Sequence, residues 1–279
     1  MATPPQKPKS AIGRDFLPRE HGATAMLLTP FLSAAILARQ VRWPELGALV
    51  AIVCALAIKD PLVVIARQRL VWKQEHSETR TAMRYAAIES VILAGSGLVL
   101  VAARGWVPFL PLFLGAGFFT VLAVMINVRN RQRSEWFQVA SAAALTSTSL
   151  VACISVRGSV ADWCWWLWLL CALQAAAGIF VVHARLDAMV AARKGQTADG
   201  DSRRAALLSQ AVLIVAALFF AFRGRFWIAA ALMLAATCYL MELRRQRLGT
   251  SLQIPLKRVG QRALALSTIY ALMIVAGLW

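Results

Sequence analysis

The chain has 279 residues, of which 59% are hydrophobic and only 15% charged, and its formal net charge is +17. A soluble domain of this length carries roughly a quarter charged residues, and its apolar residues fall in stripes. Here they form runs of about 17 to 24 residues, the length that crosses a bilayer core, and this excludes a soluble globular fold. A charge of +17 would suggest nucleic acid in a soluble protein. In this chain the Lys and Arg residues sit between the apolar runs, where they set topology and meet anionic lipid headgroups. No nucleic-acid partner is expected.

Residues 1–20 are polar, with Pro4, Pro5 and Pro8 among Lys7, Lys9, Arg14 and Arg19. They read as a disordered cytoplasmic tail. Residues 21–279 read as one transmembrane helical domain. The expected spans are 22–38, 45–66, 85–103, 107–128, 137–156, 161–184, 205–222, 226–243 and 260–279. The fold class is therefore all-α, a polytopic bundle of about nine spans. Pro30 and Pro61 fall inside spans, where proline marks a kink.

The basic residues alternate in density. The tail and the 2–3, 4–5, 6–7 and 8–9 connections together hold 23 Lys or Arg, whereas the other connections hold only Arg39, Arg42, Arg104, Arg157, Arg223 and Arg225. The positive-inside rule then gives N-in and C-out. Tryptophan supports the same register. Trp43, Trp106, Trp163, Trp165, Trp166, Trp168, Trp227 and Trp279 cluster at the outer ends of spans, and only Trp72 and Trp136 fall at the inner side. The expected location is the bacterial cytoplasmic membrane. The 2–3, 6–7 and 8–9 connections read as long basic loops, and Gly195–Ser202 as a lid or a linker.

Ionisable groups are costly within a bilayer and are functional candidates by default. Nearly all of them fall in the inner half of the spans. Arg19, Glu20 and His21 precede Gly22 at the entrance of span 1, where a base, an acid and a flexible backbone meet a helix N-terminus that favours anions. Span 2 carries Lys59 and Asp60, span 3 Glu89, span 4 Asn127, and span 6 ends with His183, Arg185 and Asp187. Lys59 and Asp60 are adjacent, so they leave a helix in different directions and need not pair. The outer half offers little beyond the hydroxyls of Thr146–Ser149. This one-sidedness predicts a cavity open to the cytoplasm and sealed outside by Trp and Leu. Gly95-Ser96-Gly97 and Gly115-Ala116-Gly117 superficially resemble nucleotide loops, but no strand precedes them, so close helix packing is expected there. The five cysteines all lie in spans without metal-ligand spacing, and no metal site or disulfide framework is expected.

The stretch Pro18-Arg19-Glu20-His21-Gly22-Ala23, running into Met26-Leu27-Leu28 and Pro30, resembles the opening motif of the YwiC-like family of bacterial membrane proteins. Asp60-Pro61-Leu62, the Arg129–Ser134 run, His183-Ala184-Arg185-Leu186 and Lys257-Arg258-Val259-Gly260 look like further family features. The resemblance implies a membrane protein and no particular reaction. In architecture the chain also resembles the UbiA-type intramembrane prenyltransferases, whose two aspartate-rich motifs hold Mg²⁺ for a substrate diphosphate. This chain lacks both motifs. Asp60, Asp187, Asp199 and Asp201 lie near the two places, with Arg67, Arg69 and Arg185 close by, and arginines repel Mg²⁺ although they bind phosphate directly. The one-sided polar cavity with its basic loops, on an architecture similar to these enzymes, leads to the expectation of a protein that handles a lipid or isoprenoid, enzymatic or not. Arg19, Asp60, Arg67, Glu89, Asn127, His183 and Arg185 would bind the substrate, and Glu20 or His21 would act as general base if turnover occurs. A small-solute or ion transporter is the alternative, and a non-catalytic partner of a membrane complex is a third.

Overall fold

The computed structural model describes residues 21–74, 77–129, 134–195, 200–247 and 256–279. Every regular element among them is helical. The elements are α1 (His21–Ala38), α2 (Trp43–Ala57), α3 (Lys59–Ala66) with a π-helical turn (Arg67–Trp72), α4 (Ser77–Arg104), α5 (Leu110–Val128) after a short 3₁₀ turn, α6 (Glu135–Thr146), α7 (Thr148–Arg157), α8 (Asp162–Lys194), α9 (Gly200–Phe222), α10 (Phe226–Gln246) and α11 (Leu256–Leu278). Among the described residues, eight helical stretches are long and apolar enough to cross a membrane, and Gly22–Ala38 is a shorter apolar helix beside them. The chain is a multi-pass helical membrane bundle.

One end of the bundle carries the turns at 39–42, 105–106, 158–161 and 223–225, and the other carries the connections rich in Lys and Arg. Trp43, Trp106, Trp163 and Trp227 belong to the first end, as does Trp279. These are called the tryptophan end and the basic end below.

α1 is the inner helix of the fold. It packs against α6, α7, α8 and α11, with Leu27, Phe31 and Ala34 almost wholly buried. α8 is the second axis, touching α6, α7, α9, α10 and α11. α2, α3, α4 and α5 form a flank beside this core. α4 and α5 bury the least of all the spans, and Val91, Leu98, Leu114 and Phe118 stand on their open faces. Such faces suit lipid, which solvates leucine and phenylalanine as well as a protein core does.

The two prolines behave differently. α1 runs through Pro30 without a break. Span 2 is interrupted at Ile58, between α2 and α3. Pro61 lacks an N–H for the Ala57 carbonyl, and its ring presses on that carbonyl. Span 5 is interrupted at Ser147, where no proline is present. There the hydroxyls compete for helix carbonyls. Thr146 Oγ1 donates to the Ala142 and Ala143 oxygens (2.9 and 3.1 Å), and Ser147 Oγ donates to Ala144 (2.7 Å). One neighbour fills the gap, and a hydroxyl at the break reaches across to α1. The Trp168 indole donates to the Ala143 oxygen at 2.9 Å, and Thr148 Oγ1 donates to the Leu27 oxygen in α1 at 2.7 Å.

Three expectations need correction. The 2–3 and 6–7 connections, expected as long basic loops, are largely helix among the described residues. α8 continues to Lys194 because Ala-Arg-Leu-Asp-Ala-Met-Val-Ala-Ala-Arg-Lys is strongly helix-forming, and it stops at Gly195, whose φ of +64° is the left-handed cap that favours glycine. Its 33 residues extend about 50 Å at 1.5 Å each, well beyond a hydrocarbon core of about 30 Å. α4 likewise begins at Ser77 and α9 at Gly200, so Gly200–Ser202 is helix rather than lid or linker; Gln196–Asp199 lie outside the described residues. Second, Lys59 Nζ and Asp60 Oδ1 do approach each other, to 3.8 Å, although adjacent side chains leave a helix in different directions. Third, Gly95, Gly115 and Gly117 have no atom from another part of the chain within 4 Å of a Cβ position, and Gly97 meets only the Phe113 ring at 4.0 Å. They lie on the open helices α4 and α5 and mediate no close packing among the described residues.

The close approaches lie elsewhere. A Cβ on Gly277 would stand 2.6 Å from Ile228 Cγ1 and 3.1 Å from the Ile228 backbone nitrogen. The backbone of α10 cannot move aside cheaply. Gly277→Ala should therefore destabilise the protein by about 1–3 kcal/mol, read as a lower thermal unfolding midpoint in detergent. Gly95→Ala and Gly115→Ala should leave the midpoint unchanged or raise it, by up to about 1 kcal/mol of helix propensity. The reverse order would show that the α10–α11 contact is not as described.

Candidate functional site

The polar residues of the basic half do not converge on one point. On the flank, Asp60 at the start of α3 lies beside Lys59 and is an electrostatic neighbour of Glu89 in α4. One Glu89 carboxylate oxygen is buried without a hydrogen bond among the described residues. Arg67, in the π-helical turn, donates through Nη2 to the main-chain oxygen of Asn127 at 2.8 Å. It thereby satisfies a carbonyl that the end of α5 leaves open. The Asn127 side chain is half-buried.

A second group joins α6, α8 and α9. His183 Nε2 donates to Gln138 Oε1 at 3.0 Å, and its Nδ1 lies 3.8 Å from Glu135 Oε1. One turn on, Asp187 accepts from Ser202 Oγ, which also reaches Glu135 Oε1 at 3.2 Å. Two carboxylates, an imidazole, an amide and a hydroxyl thus tie three helices together at the basic end. The sequence signal was the i, i+4 spacing of His183 and Asp187, which puts both on one helix face. Glu135 and Gln138 stand out in the sequence as polar residues opening span 5, but their meeting with His183, Asp187 and Ser202 is not legible there, because those partners are distant in sequence.

A third group is an ion pair. Arg185 is 1% exposed, and its Nη1 lies 2.6 Å from Glu242 Oε1 in α10. A guanidinium so deep is tolerated only because a carboxylate meets it. Arg19 and Glu20 lie outside the described residues. Of His21 the structure gives only its place as the first residue of α1.

Two cavities among the described residues stand out, and none of Asp60, Arg67, Glu89, Asn127, His183 and Arg185 lines either. The first, of about 370 Å³, lies between α1, α8 and α11 in the basic half. Gly22, Ala25, Gly260 and Ala263 lie toward its basic-end mouth, and Thr146, Cys171, Gln174 and Tyr270 lie deeper. Its wall is mainly apolar. The few polar groups are held in place: Gln174 Nε2 donates to Tyr239 Oη at 2.8 Å and to Ser267 Oγ at 3.1 Å, and Tyr270 Oη donates to the Leu170 oxygen at 3.0 Å. Sequence reading missed Gln174, Ser267 and Tyr270. The available signal was one glutamine inside an otherwise apolar run.

The second cavity, of about 610 Å³, lies at the tryptophan end and is lined by Arg39, Arg42, Arg104 and Arg157 with Trp163 and Trp279. This corrects the expectation that the outer half is sealed by Trp and Leu with little but hydroxyls. Arginines spread over three turns remote in sequence gave no sign that four of them meet in space. The five cysteines are free thiols. Among the described residues no three His, Cys, Asp or Glu side chains are grouped to hold a metal ion.

The Arg185–Glu242 pair makes a clear prediction. Glu242→Leu should cost about 3 kcal/mol or more, because it strands a buried charge. Arg185→Met combined with Glu242→Leu should recover most of that loss in a detergent unfolding assay. Equal losses in the single and double variants would contradict the buried pair.

Comparison with known proteins is specific but narrow. No curated protein and no solved structure matches the chain. The model of the YwiC-like protein family matches residues 17–154, which run from the opening Pro-Arg-Glu-His motif through most of α7. Asp60-Pro61-Leu62 and Arg129–Ser134 lie within that segment, whereas His183–Leu186 and Lys257–Gly260 lie beyond it. Over residues 17–154 the chain belongs to the YwiC-like family.

Proposed function

We propose that this YwiC-like membrane protein holds a lipid or isoprenoid in the cavity between α1, α8 and α11, with its headgroup toward the basic end. The observation that carries this reading is the cavity itself. Its volume of about 370 Å³ falls within the range of small-molecule sites, roughly 300–1,000 Å³, and such sites combine apolar walls with a few fixed polar groups. Gln174, Ser267 and Tyr270 are polar groups of that kind, half-way into the bundle. Gly22 lines the cavity, and Arg19, Glu20 and His21 directly precede it in sequence. In this reading Arg19 meets an anionic headgroup, and Glu20 or His21 serves as general base if a reaction follows. The parallel with UbiA-type prenyltransferases is one of architecture. The reading places the basic end in the cytoplasm of a bacterial cell, in line with the positive-inside rule.

Mass spectrometry of lipids retained by the purified protein tests this. The wild type should hold a specific lipid that is depleted when the cavity is narrowed by Ala25→Leu and Ala263→Leu. Bulk phospholipid alone in both samples would contradict the reading.

One observation favours transport as a second reading. The two cavities lie at opposite ends of the same α1–α11 seam, and the nearly inaccessible Phe31, Ala34 and Ile274 separate them. Two vestibules with a closed middle are what alternating access requires. Solute uptake into sealed vesicles, abolished by Ala34→Phe, would support it; the lipid reading expects no uptake.

A further inference from the structure

Of the 30 Lys and Arg residues only six fall in the turns of the tryptophan end, and four of those six line one cavity. Charge bias keeps this end poor in cations, so their convergence calls for a physical reason. The four come from different places: Arg39 closes α1, Arg42 precedes α2, Arg104 ends α4 and Arg157 ends α7. No Asp or Glu is in the lining. The acids nearest in sequence, Glu45 and Asp162, belong to the first turns of α2 and α8 and are not among the lining residues.

Two of the guanidiniums have structural work. Arg104 Nε donates to the Ser155 oxygen at 3.0 Å, and its Nη2 donates to Val156. It thus takes up carbonyls exposed where α7 ends at Gly158. Arg39 lies 3.8 Å above the Trp279 ring and donates to its main-chain oxygen at 3.5 Å. Even a full negative charge on that oxygen would offset only one of four positive charges. The Arg42 side chain donates through Nε to Gln40 Oε1 at 3.1 Å. Arg157 has no hydrogen-bond acceptor among the described residues. Arg39 meanwhile adopts a left-handed backbone, φ +54°, which a residue with a Cβ rarely takes.

We infer that this cavity binds a phosphate-type oxyanion. Guanidinium forks match the oxygens of a phosphate and bind them through charge-assisted hydrogen bonds. Converging like charges repel unless an anion lies among them. Trp163 and Trp279 in the lining belong at the membrane–water boundary, where lipid phosphates lie and dissolved anions arrive. The site is independent of the α1–α8–α11 cavity, and each stands or falls alone.

Isothermal titration of the full chain in maltoside micelles, which contain no phosphate, tests the inference with two probes. These are inorganic phosphate and a short-chain phosphatidic acid. The wild type should bind at least one of them saturably. Arg42→Gln with Arg157→Gln should weaken binding by about tenfold or more, whereas Arg223→Gln, at the same end but outside the lining, should not. Arg157→Gln alone loses no hydrogen bond among the described residues, so it should keep the fold, which its unfolding midpoint checks. Binding of phosphatidic acid alone identifies a lipid headgroup as the source; binding of both identifies the phosphate group itself. No saturable binding by the wild type, or equal binding by the wild type and the folded variants, overturns the inference.

Discussion

Inside a bilayer a carbonyl released from its helix has no water to turn to, so another part of the protein must reach it. This chain releases carbonyls at the break near Ser147 and at helix ends, and side chains from neighbouring segments reach those as well as carbonyls inside unbroken helices. Thr148 reaches Leu27 in α1, Trp168 reaches Ala143 in α6, Tyr270 reaches Leu170 in α8, and Gln246 reaches Val181. At the helix ends, Arg67, Arg104 and Arg225 do the same for Asn127, Ser155 and Gly277. The apolar residues bring the helices into the membrane. These donors then fix which helix lies against which, since lipid offers no hydrophobic drive for one pairing over another.

This constraint explains why polar residues in a membrane chain are hard to read. Arg67 and Arg185 are rare, costly and therefore conspicuous, yet one closes the end of α5 and the other pairs with Glu242. The spans, by contrast, were legible, because an apolar run of bilayer length has one meaning. Their limits were not. α8 outruns its apolar run by about three turns because helix formation in water obeys propensity rather than hydropathy. The break at Pro61 was visible in the sequence, while that at Ser147 was not, since four successive hydroxyl residues look harmless until they compete for carbonyls.

The sites were less legible than the fold, and for a related reason. A cavity is the space between elements remote in sequence. Gln174 and Ser267 are 93 residues apart, and Arg39 and Arg157 are 118 apart. Spacing along one chain segment carries no trace of such meetings. α1 is the element common to both cavities. Its first half walls the apolar cavity and its last residues wall the arginine-lined one, with the tightly packed Phe31 and Ala34 between. The family match covers α1 but ends before α8 and α11. The lipid reading therefore rests on a cavity with one wall inside the matched segment and two beyond it.

The measurement that bears most directly on this account is a cryo-electron microscopy map of the protein in a lipid nanodisc. The account predicts an elongated, non-protein density between α1, α8 and α11, passing Gly22 and Gly260 and ending near Gln174 and Tyr270. Closed packing of side chains across that space, with no ligand density in it, would contradict the account.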